Sequence, residues 1–332
     1  MRRRPVVLGA GVVGLLTAKR LSDRGHRVTI VSDAFPLSTT SAAAGSIILP
    51  FFPFAPGSQE FTRRMRWTES SLEMYHTFSA GVHCSVVDHV EFCRDGLLEG
   101  SFPIEWLPQV NLEGVQVVSL DTGFHGHQQY VRFKLPCVDT LGFLNDLFTS
   151  VLSRGVEFVR ARITSKSLTE LPAESVFNCM GFGSAAVFPD PELVPVFGQV
   201  ARLEPLGVEF GVGVGEFIGL STAHNLYVGS LFIAGEHRGV PSRAHHLRLS
   251  EFSAEILPAA LSLVGVPPAP VSFDRLVEVR AGVRPLRRSG VRLEVEEVMG
   301  KTVVHNYGHG AHGWTLAWGS VIDAVELWES LR

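Results

Sequence analysis

A disulfide framework is the first thing this chain lacks. Its 332 residues hold only four cysteines, Cys84, Cys93, Cys137 and Cys179, at irregular spacing, which fits a reducing compartment. Long apolar runs are missing too. The longest, such as Ile47 to Phe54, contain prolines and fall short of the roughly 20 residues that span a bilayer, so no membrane partner is expected. There is no excess of positive charge: 29 basic residues face 33 acidic ones, for a net charge of −4. Without a Lys/Arg tract interleaved with aromatics, the footprint of a nucleic-acid binder is absent. No period of about 20 to 50 residues repeats, which excludes a solenoid. Few apolar residues follow Met1-Arg2-Arg3-Arg4 before a glycine turn, so the start reads as cytosolic rather than as an export signal. The end, Ser330-Leu331-Arg332, lacks the basic middle residue of a peroxisomal tail. A cytoplasmic location is therefore expected.

What is present begins with composition. Hydrophobic residues make up 45% of the chain and charged residues 19%, enough for a sizeable core. The length exceeds one typical domain, and two interleaved domains are expected. Pro5-Val6-Val7-Leu8 reads as a short buried strand, Gly9-Ala10-Gly11-Val12-Val13-Gly14 as a phosphate-cradling turn, and Leu15 to Arg24 as the helix it opens. Gly25 and His26 turn the chain, Arg27 to Val31 forms a second β-branched strand, and Asp33 stands nineteen residues after Gly14. That spacing places a carboxylate to accept hydrogen bonds from an adenosine ribose, and its charge disfavours a 2′-phosphate. Ser38-Thr39-Thr40-Ser41-Ala42-Ala43-Ala44-Gly45-Ser46 follows. Its small, hydroxyl-rich side chains suit wrapping a pyrophosphate, although an ordinary helix cap would look similar.

The opposite end carries a second ligand-facing pattern. His305-Asn306-Tyr307-Gly308-His309-Gly310-Ala311-His312-Gly313-Trp314-Thr315 puts four glycines or alanines among eleven residues, immediately before an apolar, helix-prone segment. Such backbone can approach a flat ligand closely, and the following helix turns its positive N-terminus toward any negative charge developing there. Two such turns at opposite chain ends imply one long cofactor.

Between them, Glu60 to Phe78 reads as a helix and Val86 to Phe133 as β-rich. Asp139 to Ser153 is helical, with Leu141, Leu144, Leu147, Phe148 and Val151 at helix spacing. Val156 to Val159 and Ser175 to Cys179 are strands, the latter ending in the glycine turn Met180-Gly181-Phe182-Gly183-Ser184, which a doubly wound sheet would set beside the first. Strands are expected at Gly198 to Leu203, Leu226 to Gly235 and near 270, with a helix at about Ser250 to Val264. His83, Cys84, His89 and Cys93 match no common zinc spacing, and His305, His309 and His312 are separated by glycine-bearing turns. No metal site is expected. Arg280, Arg284, Arg287, Arg288 and Arg292 cluster beside Glu294, Glu296 and Glu297, so most should be solvated or paired. Arg284 stands out because Gly282 and Pro285 fix the backbone around it just upstream of the C-terminal loop.

The N-terminal VVLGAGVVGLLTA, FPLSTTSAAAG, FNCMGFG, Gly198-Gln199-Val200, Val283-Arg284-Pro285-Leu286-Arg287 and HNYGHGAHGWTLAWG occur in an order that resembles the D-amino-acid oxidase family of FAD-dependent oxidoreductases. The last two segments are specific to that family rather than to Rossmann proteins generally. The resemblance implies an α/β fold: a Rossmann-like FAD-binding domain from residues 1–50, 137–195 and 284–332, interleaved with an antiparallel β-rich substrate domain from 51–136 and 196–283. It implies that Gly9, Gly11, Val12, Val13, Gly14, Asp33, Thr39, Thr40, Ala44, Gly45, Ser46 and Gly181 hold the dinucleotide, with Ile163 against the adenine. His309, Gly310, Ala311, His312, Gly313, Trp314 and Thr315 are assigned to the flavin's pyrimidine edge. Arg284 matches the arginine that clamps a substrate carboxylate in a bidentate fork, Tyr227 matches a pocket tyrosine, and Ala311 stands where a glycine carbonyl receives the substrate amine.

The implied reaction is oxidation of the C–N bond of an amino acid by hydride transfer to flavin N5. The products would be an imino acid that hydrolyses to keto acid and ammonia, and hydrogen peroxide from reoxidation by dioxygen. FAD should be non-covalent, as no cysteine lies in the last 150 residues. Three departures from the family pattern, Ala223 for a second pocket tyrosine, Ala311 with His312, and the longer apolar Ser46-Ile47-Ile48-Leu49-Pro50, imply a remodelled pocket and an unusual amino acid. The alternatives are a glycine or secondary-amine (N-alkyl amino acid) oxidase in the same wider group, and a non-catalytic FAD binder. A third, an NAD-dependent dehydrogenase, is disfavoured by the C-terminal glycine loop. A homodimer is compatible with the sequence.

Overall fold

The structure is a computed structural model that describes residues 4–45, 47–98, 102–266 and 271–331. Two sheets organise it. A six-stranded sheet runs in the order Arg292–Val298, Lys301–Tyr307, Ser175–Asn178, Val6–Leu8, Thr29–Ser32 and Glu157–Arg160. Its neighbours are parallel except for the first pair. Side chains alternate in the way a pleat requires. Val7, Ile30, Phe177 and Val304 face the helices Val12–Asp23, Thr140–Ser153 and Gly313–Glu329, while Val6, Val31, Val176 and Val303 pack in a smaller cluster with Leu168 and Phe188. Near-continuous β-branched runs form strands here because both faces are covered.

The second, nine-stranded sheet is almost wholly antiparallel; the exception is the parallel pair Phe210–Val214 with Cys84–Cys93. Its longest ladder joins Leu193–Leu203 to Leu276–Arg287, with Val196 opposite Arg284. One face holds Val87, Phe133, Leu135, Val200 and Tyr227 against helix Gln59–Thr77, and the other holds Phe92, Ala201, Leu203 and Val228 under the helices Arg243–Glu251 and Leu257–Leu263. Helix Gln59–Thr77 starts where the Ser58 hydroxyl accepts from the Phe61 amide, and helix Thr140–Ser153 where the Asp139 carboxylate accepts from Gly142. Each cap contributes about 1 kcal/mol.

Several elements differ from expectation. The helix foreseen at about Ser250 to Val264 is broken by a π-helical turn at Phe252–Ile256, because Pro258 lacks the N–H that a regular ladder needs there. The strand foreseen at Leu226 to Gly235 splits into Leu226–Gly229 and Ile233–Ala234. Between them the Ser230 hydroxyl and the Leu231 carbonyl turn to the Arg284 guanidinium instead of to a neighbouring strand. The strand foreseen near 270 falls partly on 267–270, outside the described residues; the described strand begins at Leu276. Among the described residues, no helix is long and apolar enough to cross a membrane.

Candidate active site

Three adjacent parallel strands, Val6–Leu8, Ser175–Asn178 and Lys301–Tyr307, end on the same edge of the six-stranded sheet, and each runs into a glycine turn. The carboxyl ends of such strands are where open α/β sheets bind ligands. Gly9 adopts φ +99°, and a Cβ there would lie 2.6 Å from the Cys179 carbonyl oxygen, so the first two turns touch backbone to backbone. Helix Val12–Asp23 begins at Gly11 with no side-chain cap; the Val12 amide donates to the Ser41 hydroxyl at 3.0 Å. This positive helix end faces a cavity of about 1100 Å³. That exceeds the size of ordinary small-molecule sites and suits a dinucleotide with a second ligand.

Asp33 is exposed at the cavity rim, while Ile163 is buried at its wall. The hydroxyl-rich segment forms two short 3₁₀ turns, Pro36–Ser38 and Thr40–Ala43. Thr39 donates its hydroxyl to the Pro36 carbonyl (2.7 Å) and Thr40 to the Val283 carbonyl (3.4 Å). Both residues line the cavity. The segment is clamped from outside as well, because Trp314 Nε1 donates to the Ser41 carbonyl (3.1 Å) and Arg280 to the Ala42 carbonyl (3.2 Å).

The C-terminal loop is pinned by a β-bridge between Leu286 and His309. Gly308 has φ +91°, and a Cβ there would sit 2.8 Å from that of Arg287. The 3₁₀ turn Gly310–His312 then opens helix Gly313–Glu329, again without a side-chain cap. Ser320 Oγ donates to the Ala317 carbonyl, so His309 Nε2, 3.1 Å away, donates to Ser320. His312 Nε2 donates to the Phe51 carbonyl (3.0 Å). Burial, reinforced by the charge of Arg64, pushes His309 down to about 3 and His312 down to about 4. Both rings are neutral at physiological pH.

Acid sensitivity follows. An unfolded histidine takes up a proton near pH 6.5; folded His309 does so only near 3. The unfolded state thus binds more protons across that window, and the stability contributed by neutral His309 is lost as pH falls from about 6.5 toward 3. Glu91, raised by burial to about 8, acts in the opposite sense as pH rises from about 4.5 to 8, so the test is differential. Melting temperatures of wild type and His309→Gln are expected to converge on acidification from pH 7 to 4.5, and parallel curves would refute the assignment.

Arg284 projects from strand Leu276–Arg287 across Gly198, where a Cβ would lie 2.3 Å from its Nη1. Nη1 donates to the carbonyls of Phe197 (3.1 Å) and Leu231 (2.8 Å), Nη2 donates to the Ser230 hydroxyl, and the Phe232 ring lies 5.4 Å from the guanidinium carbon. These contacts fix the guanidinium plane at the cavity wall. Tyr227 lines the same cavity; Asn225 Nδ2 donates to its hydroxyl at 3.4 Å, and burial pushes the phenol up to about 12.

One cavity thus brings together Gly9, Gly11, Val12, Val13, Asp33, Thr39, Thr40, Ala44, Gly45, Ile163, Gly181, Tyr227, Arg284 and the loop from His309 to Thr315. Gly14 is the exception. It packs beneath the turn, where a Cβ would lie 2.1 Å from the Gly9 carbonyl oxygen, and so sets how closely helix meets strand. Ser46 lies outside the described residues. Ala223 sits in an exposed turn away from the cavity. Of the histidines considered as metal ligands, His83 contacts Asp139 and Asp146, and His89 contacts Glu91. Sequence reasoning missed Arg64, Phe51, Phe54, Ser230 and Phe232, all at the cavity wall. Arg64 carried a signal, since with Glu60 it forms an i,i+4 pair, but such pairs ordinarily face solvent.

Comparison with known proteins places these features in context. A family model described as "FAD dependent oxidoreductase" matches residues 5–321. The D-amino-acid oxidase of Rubrobacter xylanophilus is 30% identical over 335 residues, covering 98% of this chain and 95% of that protein. That of Streptomyces coelicolor is 28% identical over 326 residues, covering 97% and 95%. Among solved structures, glycine oxidase from Geobacillus kaustophilus superposes with a TM-score of 0.76 at 16% identity, covering 99% of this chain and 95% of that one. Iminodiacetate oxidase from Chelativorans sp. BNC1 gives 0.71 at 17%, with the same coverage. At such identities the structural likeness speaks to the fold.

Proposed function

This chain belongs to the FAD-dependent oxidoreductase family, and from that premise we propose that it oxidises the C–N bond of a D-amino acid. Dioxygen is the second substrate, and the products are an imino acid, hydrolysed to keto acid and ammonia, and hydrogen peroxide. The residues present fit FAD. The first glycine turn brings bare backbone and the uncapped helix end at Val12 to the cavity, Asp33 and Ile163 line it where they would take ribose and adenine, and the uncapped helix at Gly313 borders the same cavity. Bound FAD supplies a two-electron acceptor for the hydride on the substrate α-carbon.

The observation that carries the reading is Arg284, held in plane by two carbonyls and a hydroxyl on the wall of the cavity that the glycine turns form. A planar fork suits a carboxylate better than a point charge does. With the α-carboxylate there, the protonated Tyr227 phenol is a second donor, and the Ala311 carbonyl accepts from the amine. The helix N-terminus at Gly313 stabilises negative charge gained during the reaction, with donors already oriented. Apolar Ile47, Leu49, Phe51 and Leu220 line the cavity, and apolar walls lower the dielectric around charges inside it. The chain's part is therefore positioning and electrostatics rather than proton transfer.

The holoprotein, mixed anaerobically with D-, L- and N-methyl amino acids, should lose its flavin absorbance near roughly 450 nm only with the D series. Bleaching by glycine or N-methyl amino acids alone would move the assignment to the secondary-amine reading, and bleaching by none would refute the oxidase.

A further inference from the structure

Helix Gln59–Thr77 buries Phe61, Arg64, Trp67, Ser71 and Met74 along one face. A cation at the second of these positions occupies a place where an apolar side chain would ordinarily pack, and burying it carries a large desolvation penalty. Arg64 is only 5% exposed. Its Nε donates to Glu60 Oε1 at 2.6 Å, and its guanidinium lies 4.6 Å from the Phe54 ring centre and 5.5 Å from that of Phe52. Neither Nη donates to any acceptor among the described residues. Glu60 is shared with Arg63, so two guanidiniums face one carboxylate and the cluster keeps a net positive charge. Gly290 lies against it, where a Cβ would be 3.3 Å from Arg64 Nη2.

Arg64 also lines the cavity, whose wall includes Ile47, Leu49, Phe51, Pro53 and Phe54, the last with its ring against the guanidinium. The nearby His309 and His312 are neutral, so the positive charge at this end of the pocket is concentrated on the arginine. A buried guanidinium with unused donors, held by one carboxylate and two aromatic rings and turned to a cavity, is a site for an anionic oxygen. Resting on the amino-acid reading above, we propose that Arg64 is a specificity-determining second anchor that takes the distal carboxylate of an acidic amino acid whose α-carboxylate sits on Arg284. A D-amino acid that carries a side-chain carboxylate is the substrate class implied. An apolar side chain of the same length would leave the Arg64 donors without acceptors, which is how a polar pocket rejects an apolar analogue.

The test uses the FAD-loaded protein and two unreactive probes, glutarate and pentanoate, titrated while the flavin spectrum is followed. D-glutamate and D-norleucine are compared in turnover. Wild type is expected to bind glutarate at least about tenfold more tightly than pentanoate, and to show about a hundredfold higher kcat/KM for D-glutamate than for D-norleucine. Arg64→Met should abolish both preferences while changing pentanoate binding by less than about threefold. Arg64→Gln, which keeps a polar contact for Glu60, serves the same purpose should the Met variant fail to fold. Equal affinities for the two probes in wild type, or equal weakening of both in the variants, would overturn the anchor. An Arg64-dependent preference for glutarate in a protein that oxidises no amino acid would uphold the anchor and refute the oxidase reading. Equal turnover of D-glutamate and D-norleucine would do the reverse.

Discussion

Arg284→Met is expected to lower kcat/KM for the best substrate by about a thousandfold while leaving FAD content unchanged. Removing one partner of a desolvated, hydrogen-bonded charge pair costs roughly 2 to 5 kcal/mol, and each 1.4 kcal/mol is tenfold. The substrate carboxylate would lose a forked, charge-assisted contact in a cavity whose low dielectric magnifies it. The variant also strips the Phe197 and Leu231 carbonyls of their donor, so a modest loss of stability accompanies it. Arg284→Lys separates the two effects. Lysine restores the charge but not the planar fork, and recovery of less than about a tenth of the activity is expected. Steady-state kinetics with the flavin spectrum as a loading control decides the matter. A kcat/KM within tenfold of wild type for Arg284→Met would remove this residue from the carboxylate site.

The second large effect is structural. In Gly14→Ala the new Cβ would lie 2.1 Å from the Gly9 carbonyl oxygen and 2.9 Å from its carbon, both backbone atoms that cannot rotate away. The first helix must then lift from strand Val6–Leu8, disturbing the turn at which the three parallel strands end. Overpacking a tight core costs about 1 to 3 kcal/mol and sometimes more, and a rigid backbone clash belongs at the upper end. The melting temperature should fall by about 5 °C or more, and the purified variant should carry less FAD. Gly239→Ala is the matched control, because it lies off the cavity and a Cβ there meets nothing nearer than 3.6 Å. Its melting temperature should equal that of wild type within about 1 °C. An unperturbed Gly14→Ala would mean that the helix does not rest on Gly9 as described.

Much of the site was legible because it is local. A glycine between a buried strand and a helix constrains the backbone whatever surrounds it. The turn at Gly9, the acid at Asp33 and the loop from Gly308 to Gly313 could therefore each be read from a few adjacent residues. The parallel sheet was legible for the same reason: doubly covered strands such as Val6–Leu8 and Ser175–Asn178 are apolar on both faces. Arg284 could be singled out from its neighbours by flanking Gly282 and Pro285, although its partners could not.

The missed residues depend on contacts between segments far apart in the chain. Phe51 and Phe54 read as an apolar run with no assigned side, and Ser230 and Phe232 as part of a continuous strand. Only the approach of Arg284 from strand Leu276–Arg287 draws the Ser230 hydroxyl and the Leu231 carbonyl out of the ladder. Arg64 read as half of a solvent-facing i,i+4 pair. Its burial arises because the helix packs that face toward Phe52, Phe54 and the C-terminal loop. The contact of the Thr40 hydroxyl with the Val283 carbonyl likewise joins segments far apart in the chain.

The amino-acid sequence by itself determined the cofactor-binding frame, since glycine spacing and strand patterning act over a few residues through backbone geometry. Tertiary structure decided which cations face the substrate cavity, which histidines stay neutral and which donors are already engaged. Burial and long-range pairing set those properties, and both depend on how distant segments meet.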